Sequence, residues 1–168
     1  MKKFFKIFFS VAFGFLTGSI LMKIKKFESD CRIQSRCDKF FSYYTMLNLW
    51  MKRKQEGRSL ADFFIENNYK NIAIYGMGEM GQRLVEDLLP NDINVKYAVD
   101  KNMKNSYKNI PIKGANDVMN PVDVMIVTAT YDYESIRRTL EDKVSFPILS
   151  LNEVVFYLTI KGDVNEKI

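Results

Sequence analysis

The chain contains no histidine, and its 168 residues include only two cysteines, Cys31 and Cys37. The lack of histidine removes the commonest metal ligand and the usual general base near neutral pH. The two cysteines form no C-x-x-C pair, so no zinc set can be assembled and no metal is expected. Their spacing permits a disulfide, but a cytosolic setting keeps thiols reduced, so both are read as free. Also missing is any basic excess in the later part of the chain. Residues 1–58 carry 13 Lys and Arg against 4 Asp and Glu, a balance of +9, whereas residues 59–168 carry 12 against 16, a balance of −4. A globular part that is net acidic lacks the basic face that nucleic acid requires, so no nucleic-acid partner is expected. The overall +5 therefore belongs to the first third of the chain.

That first third holds the one long apolar run. Lys2, Lys3 and Lys6 precede the uncharged stretch Ile7 to Met22, and Lys23, Lys25 and Lys26 end it. The run is sixteen residues, or nineteen counted from Phe4 with Lys6 snorkelling, at the short end for a spanning helix. A cleaved secretory signal is the competing reading. No small-x-small site follows the apolar core, where Leu21-Met22-Lys23 stands instead, so an uncleaved anchor at about residues 4–22 is expected. Lys23, Lys25, Lys26, Arg32 and Arg36 outnumber the basic residues on the other side, which places the C-terminal part in the cytoplasm of a single-pass cell-membrane protein. The basic flanks suit anionic lipid headgroups. Gly14 and Gly18 supply a small-xxx-small spacing for close approach of two such helices, and hence for a homodimer through the membrane helix.

From Ile33 the chain reads as helical. Ile33, Cys37, Phe40, Tyr44, Leu47 and Met51 recur at alternating steps of four and three residues. This seam fits a short coiled coil that would make a homodimer through the juxtamembrane helix. It equally fits packing of Phe40, Phe41, Tyr44, Leu47 and Met51 against the following domain. Gly57 ends the helix, and Ser59 with Asp62 opens another in the manner of a capping box.

The most informative segment comes next. The apolar run Asn71–Tyr75 leads into Gly76-Met77-Gly78-Glu79-Met80-Gly81, then into an amphipathic helix with Met80, Leu84, Val85, Leu88 and Leu89 on one stripe. A second apolar run, Val95–Val99, ends in Asp100, nineteen residues beyond Gly81. Strand, glycine turn, helix, strand and terminal acid together form the setting of the dinucleotide fingerprint. Gly76 permits the tight turn, Gly78 lets a pyrophosphate approach the backbone, and Gly81 lets helix and sheet pack closely. The N–H groups and positive dipole end at the helix start face the phosphates, and Asp100 suits a ribose diol. Lys101 lies beside it.

A polar connection follows, Lys101 to Lys108, without helical periodicity. Ile110–Ile112 reads as a third strand and Val122–Thr128 as a fully buried parallel fourth. A helix over residues 133–143, a strand at 146–149 and a helix at 152–158 complete the pattern. The fold class expected is α/β: a Rossmann-like parallel sheet of order 3-2-1-4-5, preceded by helices and an N-terminal transmembrane helix. The crevice between strands 1 and 4 would be lined by the glycine turn and by Thr128, Ala129 and Thr130. The two hydroxyls would stand near a phosphate or ribose, and Ala129 would leave room for a flat ring. The divisions read are an anchor at 1–26, a juxtamembrane helical region at 27–58, a nucleotide-binding domain at 59–160 and a polar tail at 161–168.

Ile74-Tyr-Gly-Met-Gly-Glu-Met-Gly81, Tyr97-Ala-Val-Asp-Lys101, Ile110-Pro-Ile112 and Asp123-Val-Met-Ile-Val-Thr-Ala-Thr130 resemble the small Rossmann domains of bacterial surface-polysaccharide proteins. Such domains include the nucleotide-sugar-binding domain of amino-sugar acetyltransferases and the C-terminal domain of sugar C-methyltransferases. Epimerase-like proteins of capsule clusters that act on nucleoside-diphosphate sugars are also similar. The resemblance covers about half the chain and implies NAD or a nucleoside-diphosphate sugar held by Gly76–Gly81 and Asp100. The hexapeptide repeats of the acetyltransferases and the catalytic domain of the methyltransferases are not read in these residues. Tyr97 and Lys101 have the Tyr-x-x-x-Lys spacing of short-chain reductases, but on a strand and its tip, where they cannot reach a substrate beside a nicotinamide. Tyr131, Asp132 and Glu134 near the crevice are accounted for by an acid-rich helix start. No internal catalytic set emerges, so the function expected is a membrane-anchored binding module for surface-polysaccharide assembly. The alternatives are a reductase or epimerase-like enzyme completed by a partner chain, and a dinucleotide sensor that regulates a membrane partner.

Overall fold

In the computed structural model, residues 2–101 and 106–165 are described, with side chains from 21 to 101 and from 106 to 159. The chain forms two compact units, residues 1–42 and 43–168. Helix α1 (Lys2–Gln55) supplies all of the first unit and the opening of the second. Among the described residues no helix is long and apolar enough to cross a membrane. The expected anchor, apart from Leu21 and Met22, lies outside the residues whose side chains are described. In the first unit the described part of α1 carries local pairs along its surface, Gln34 with Asp38 at 2.9 Å and Arg32 with Glu28 at 3.8 Å.

The second unit is α/β. Its strands are β1 (Asn71–Tyr75), β2 (Asn94–Val99), β3 (Ser106–Tyr107), β4 (Ile110–Lys113), β5 (Val124–Val127) and β6 (Ile148–Ser150). Its later helices are α2 (Ala61–Glu66), α3 (Glu79–Leu88), α4 (Tyr133–Leu140) and α5 (Leu151–Asn165). The sheet runs β3-β4-β2-β1-β5-β6, parallel throughout except for the antiparallel β3–β4 pair. This corrects the expected all-parallel order 3-2-1-4-5: the sheet is mixed and has a sixth strand at its edge. The cause is a short hairpin whose first strand lies within the stretch read as a polar connection without helical periodicity. Lys108 and Asn109 both take positive φ, 46° and 67°, and Tyr107 pairs with Ile110, as in a type I′ turn. Residues 102–105 of that connection lie outside the described residues.

The central strands are apolar on both faces because helices cover both. Ile72, Ile74, Val124 and Ile126 pack with Phe64, Leu84, Leu88, Leu151 and Val155 on one side. Ala73, Val99 and Met125 pack with Leu140 on the other. The core also takes in Met46 and Trp50 from α1, so the folded unit begins at Tyr43 and not at residue 59. Of the two readings of the α1 stripe, its packing against the domain is not what the structure has. Met46, Trp50 and Arg53 are buried, whereas Tyr44, Leu47 and Met51 remain in solvent.

Polar groups fix this stretch of α1. The buried Asp87 carboxylate accepts from the Trp50 indole at 3.2 Å and the Leu60 amide at 2.9 Å, and it pairs with Lys54. Arg53 pairs with Glu56 at 2.8 Å and donates to the Thr159 carbonyl at 2.6 Å. The helix stops at Gly57, φ 75°, where the amides of Gly57 and Arg58 return to the carbonyls of Lys54 and Arg53 in a Schellman arrangement. At the start of α2 the Ser59 amide donates to Asp62 Oδ2 at 3.3 Å, as the capping pattern predicts, but the Ser59 hydroxyl oxygen accepts from the Ala61 amide at 3.1 Å and not from Asp62.

Candidate functional site

The glycine turn sits at the C-terminal ends of the parallel strands. β1 has β2 on one side and β5 on the other, so the order of strands reverses there, the topology in which a crevice is expected between β1 and β5. Gly76 leaves β1 with φ 97° and donates its amide to the Val99 carbonyl at 2.8 Å. A side chain at Gly76 would meet the Thr128 hydroxyl at 2.7 Å, and one at Gly81 would overlap the Gly76 carbonyl oxygen. Gly78 differs: nothing lies within 4 Å of where its Cβ would be. Two glycines therefore serve the fold, while the third leaves open space beside the start of α3.

Helix α3 begins directly after Gly78, and no side chain caps it. Its leading N–H groups, which no preceding turn of helix can satisfy, face the mouth of the crevice with the positive end of the dipole. Glu79 is exposed on the first turn, and Met80 packs partly against the core. Met77 is completely buried, so only its backbone belongs to the turn. Its amide donates to Asp100 Oδ2 at 2.6 Å, and its carbonyl accepts from Gln82 Nε2 at 3.2 Å. Asp100, half-buried at the tip of β2, thus latches the turn. Lys101 is exposed next to it.

Across the crevice, the hydroxyl proton of Thr128 is committed to the Gly76 carbonyl at 2.6 Å, so this side chain holds the turn. Ala129 is partly exposed. Thr130 is nine-tenths buried at the start of a short 3-10 turn (Thr130–Asp132), and its hydroxyl oxygen has no partner among the described residues. Asn152 shares that property through its buried Oδ1. It stands just past the end of β6, which neighbours β5, so both orphaned atoms follow adjacent strand ends. The sequence reading missed Asn152 and Gln82, because neither belongs to the glycine pattern. Ser150 and Glu153, however, spell a legible S-x-x-E capping box, and the Ser150 amide donates to Glu153 at 2.8 Å.

Tyr75, the last residue of β1, has its hydroxyl pushed above the usual tyrosine range, first by burial and then by the negative charge of Asp100. A separate cavity of about 470 Å³ lies between α1 and α3, lined by Leu47, Trp50, Met51 and Lys54 against Glu79, Met80, Arg83, Glu86 and Asp87. Apart from Glu79 and Met80 it uses none of the turn residues, so it is not the crevice. Among the described residues no group of His, Cys, Asp and Glu could hold a metal ion. Comparison with protein-family models, with curated proteins and with solved structures finds no match to this chain.

Proposed function

We propose that the second unit is a Rossmann-like module that binds NAD or a nucleoside-diphosphate sugar, carried on a membrane-anchored chain with this unit in the cytoplasm. Its setting would be the assembly of cell-surface polysaccharide. The observation that carries the reading is the contrast among the three glycines. Gly76 and Gly81 are required by their neighbours, whereas Gly78 is bare with no fold contact to explain it, next to an uncapped helix start. A pyrophosphate needs those two things, close backbone approach and unpaired N–H donors.

Asp100 bears on which nucleotide is held. Its carboxylate lies at the lip of the turn, where it favours a ribose diol and repels a 2′-phosphate. Thr130 and Asn152 offer polar atoms farther along the strand ends. With no acid–base set read in the sequence around the glycine turn, the role proposed is to bind and present or sense the nucleotide.

Titration calorimetry of the full-length chain in detergent micelles tests this against NAD, NADP, UDP-sugars and CDP-sugars. Saturable binding of NAD or of a nucleoside-diphosphate sugar, lost in Gly78→Val, is the expected result. Binding of NADP alone, or of none of these, refutes the proposal.

A further inference from the structure

Helix α1 carries two apolar stripes, and the described residues cover only one. In the second unit Met46 and Trp50 are buried in the domain, while Tyr44, Leu47 and Met51 are 66%, 37% and 59% exposed. In the first unit Ile33 and Phe40 are 58% and 70% exposed, and Cys37 is exposed as well. Along the sequence these six positions step by four and three residues without a break from Ile33 to Met51. That is the 3.5-residue period of a coiled-coil seam, with Cys37, Tyr44 and Met51 at a positions and Ile33, Phe40 and Leu47 at d positions. A helix that packs only on a globular domain needs a single apolar face. The second face, in strict heptad register, calls for another helix.

We propose that this seam pairs with the same seam of a second copy, as a parallel, in-register two-stranded coiled coil over residues 33–51. A second copy is chosen over a different helix for two reasons. The flanking e and g positions, Gln34, Arg36, Phe41, Tyr43, Asn48 and Trp50, hold one charge among them, so nothing there selects a complementary foreign partner. The exposed area also suits a pair of like chains. Phe40, Phe41 and Tyr44 alone leave on the order of 400 Å² of aromatic surface in water, as much as the largest patch of a typical monomer. Doubled, and joined by Ile33, Leu47 and Met51, the buried surface reaches on the order of 1,200 Å², within the range of stable interfaces. The parallel direction rests on the anchored reading, since two chains inserted from the same side run the same way. Pairing itself is independent of what the glycine turn binds.

The chain carries its own reporter. In the parallel register Cys37 faces Cys37 of the second copy across the axis, within reach of a disulfide. An antiparallel pair would set it against Leu47. Cys31 falls at an outward b position and serves as the control. Full-length protein in detergent is treated with copper–phenanthroline, which takes up the two electrons as two thiols lose their protons and join. The expected result is a covalent dimer that survives Cys31→Ser and disappears in Cys37→Ser. In Phe40→Glu/Tyr44→Glu its yield should fall by on the order of tenfold or more, with the circular dichroism of the folded unit retained because both side chains are in solvent in the single chain. Three outcomes overturn the proposal: cross-linking through Cys31 as efficient as through Cys37, a dimer that persists in the double glutamate variant, or a monomer by sedimentation. Nucleotide calorimetry on the same samples separates this failure from failure of the binding reading.

Discussion

The backbone amide of Met77 donates to Asp100 Oδ2 across 2.6 Å, joining the glycine turn after β1 to the tip of β2. One side chain therefore serves two ends: it fixes the shape of the turn and sets the charge at its lip. Asp100→Asn keeps a carbonyl acceptor and removes the charge. It should leave the melting temperature nearly unchanged and raise the affinity for NADP relative to NAD. Asp100→Ala leaves the Met77 amide without its acceptor and should cost about 1–3 kcal/mol. Denaturant unfolding together with calorimetry on both variants checks the two effects separately.

The glycines should separate in the same way. Gly81→Ala drives a methyl group into the Gly76 carbonyl and should lose the fold, while Gly78→Val meets open space and should keep it. Circular dichroism and melting on the two variants decide. If Gly78→Val unfolds as badly as Gly81→Ala, Gly78 is structural and the case for an open phosphate seat fails.

Asp87 sets a larger stability term. It is buried, and its carboxylate serves Trp50, Lys54 and Leu60. Asp87→Ala strands the buried Trp50 and Leu60 donors, at about 1–3 kcal/mol each, while the half-exposed Lys54 ammonium returns to water. Chemical unfolding measures the loss. Trp50 is the only tryptophan, so its fluorescence should report the same transition.

Stability should fall at both ends of the pH scale for separate reasons. Asp123 Oδ2 accepts the amides of Asn71 at 2.7 Å and Lys70 at 2.8 Å, and these bonds hold its carboxyl below the usual range. Their contribution is complete above the ordinary carboxylate value of about 4 and is lost as pH falls through the lowered one. Burial raises the hydroxyls of Tyr75, Tyr97 and Tyr133. That contribution is complete below about pH 10 and is lost as pH climbs through the raised values. Melting temperatures across the range should show Asp123→Asn flattening the acid limb alone, and Tyr97→Phe softening the alkaline one.

Much of the sheet was legible because its residues obey simple periods. Asn71–Tyr75 and Val124–Val127 are continuous apolar runs, and both became buried parallel strands. Within the hairpin of β3 and β4, only β4 was legible, as the run Ile110–Ile112; β3 left no such trace. Ser106–Tyr107 is too short for alternation, and Lys108 at positive φ is not a residue that announces a type I′ turn. The sequence leaves open which face of α1 meets the domain, and for a different reason. Two apolar stripes at helical spacing compete for the domain, and sequence alone does not rank Met46 and Trp50 above Tyr44 and Leu47. The tie is broken by Asp87, whose carboxylate meets the Trp50 indole from 37 residues away. At the turn, the pattern of glycines was readable, but the division of labour among them was not, since it depends on Thr128 and on the Gly76 carbonyl across the crevice.

The two edges of the sheet carry a consequence for how copies of this protein meet. On one side β4 is screened by a strand of two residues, and on the other β6 is three residues long and directly follows Pro147. Neither margin presents enough free backbone to recruit a further strand from another molecule. Among the described residues, growth by strand addition, the route to fibres and swapped sheets, has little backbone to start from, which leaves the helices as the larger surfaces through which copies could meet.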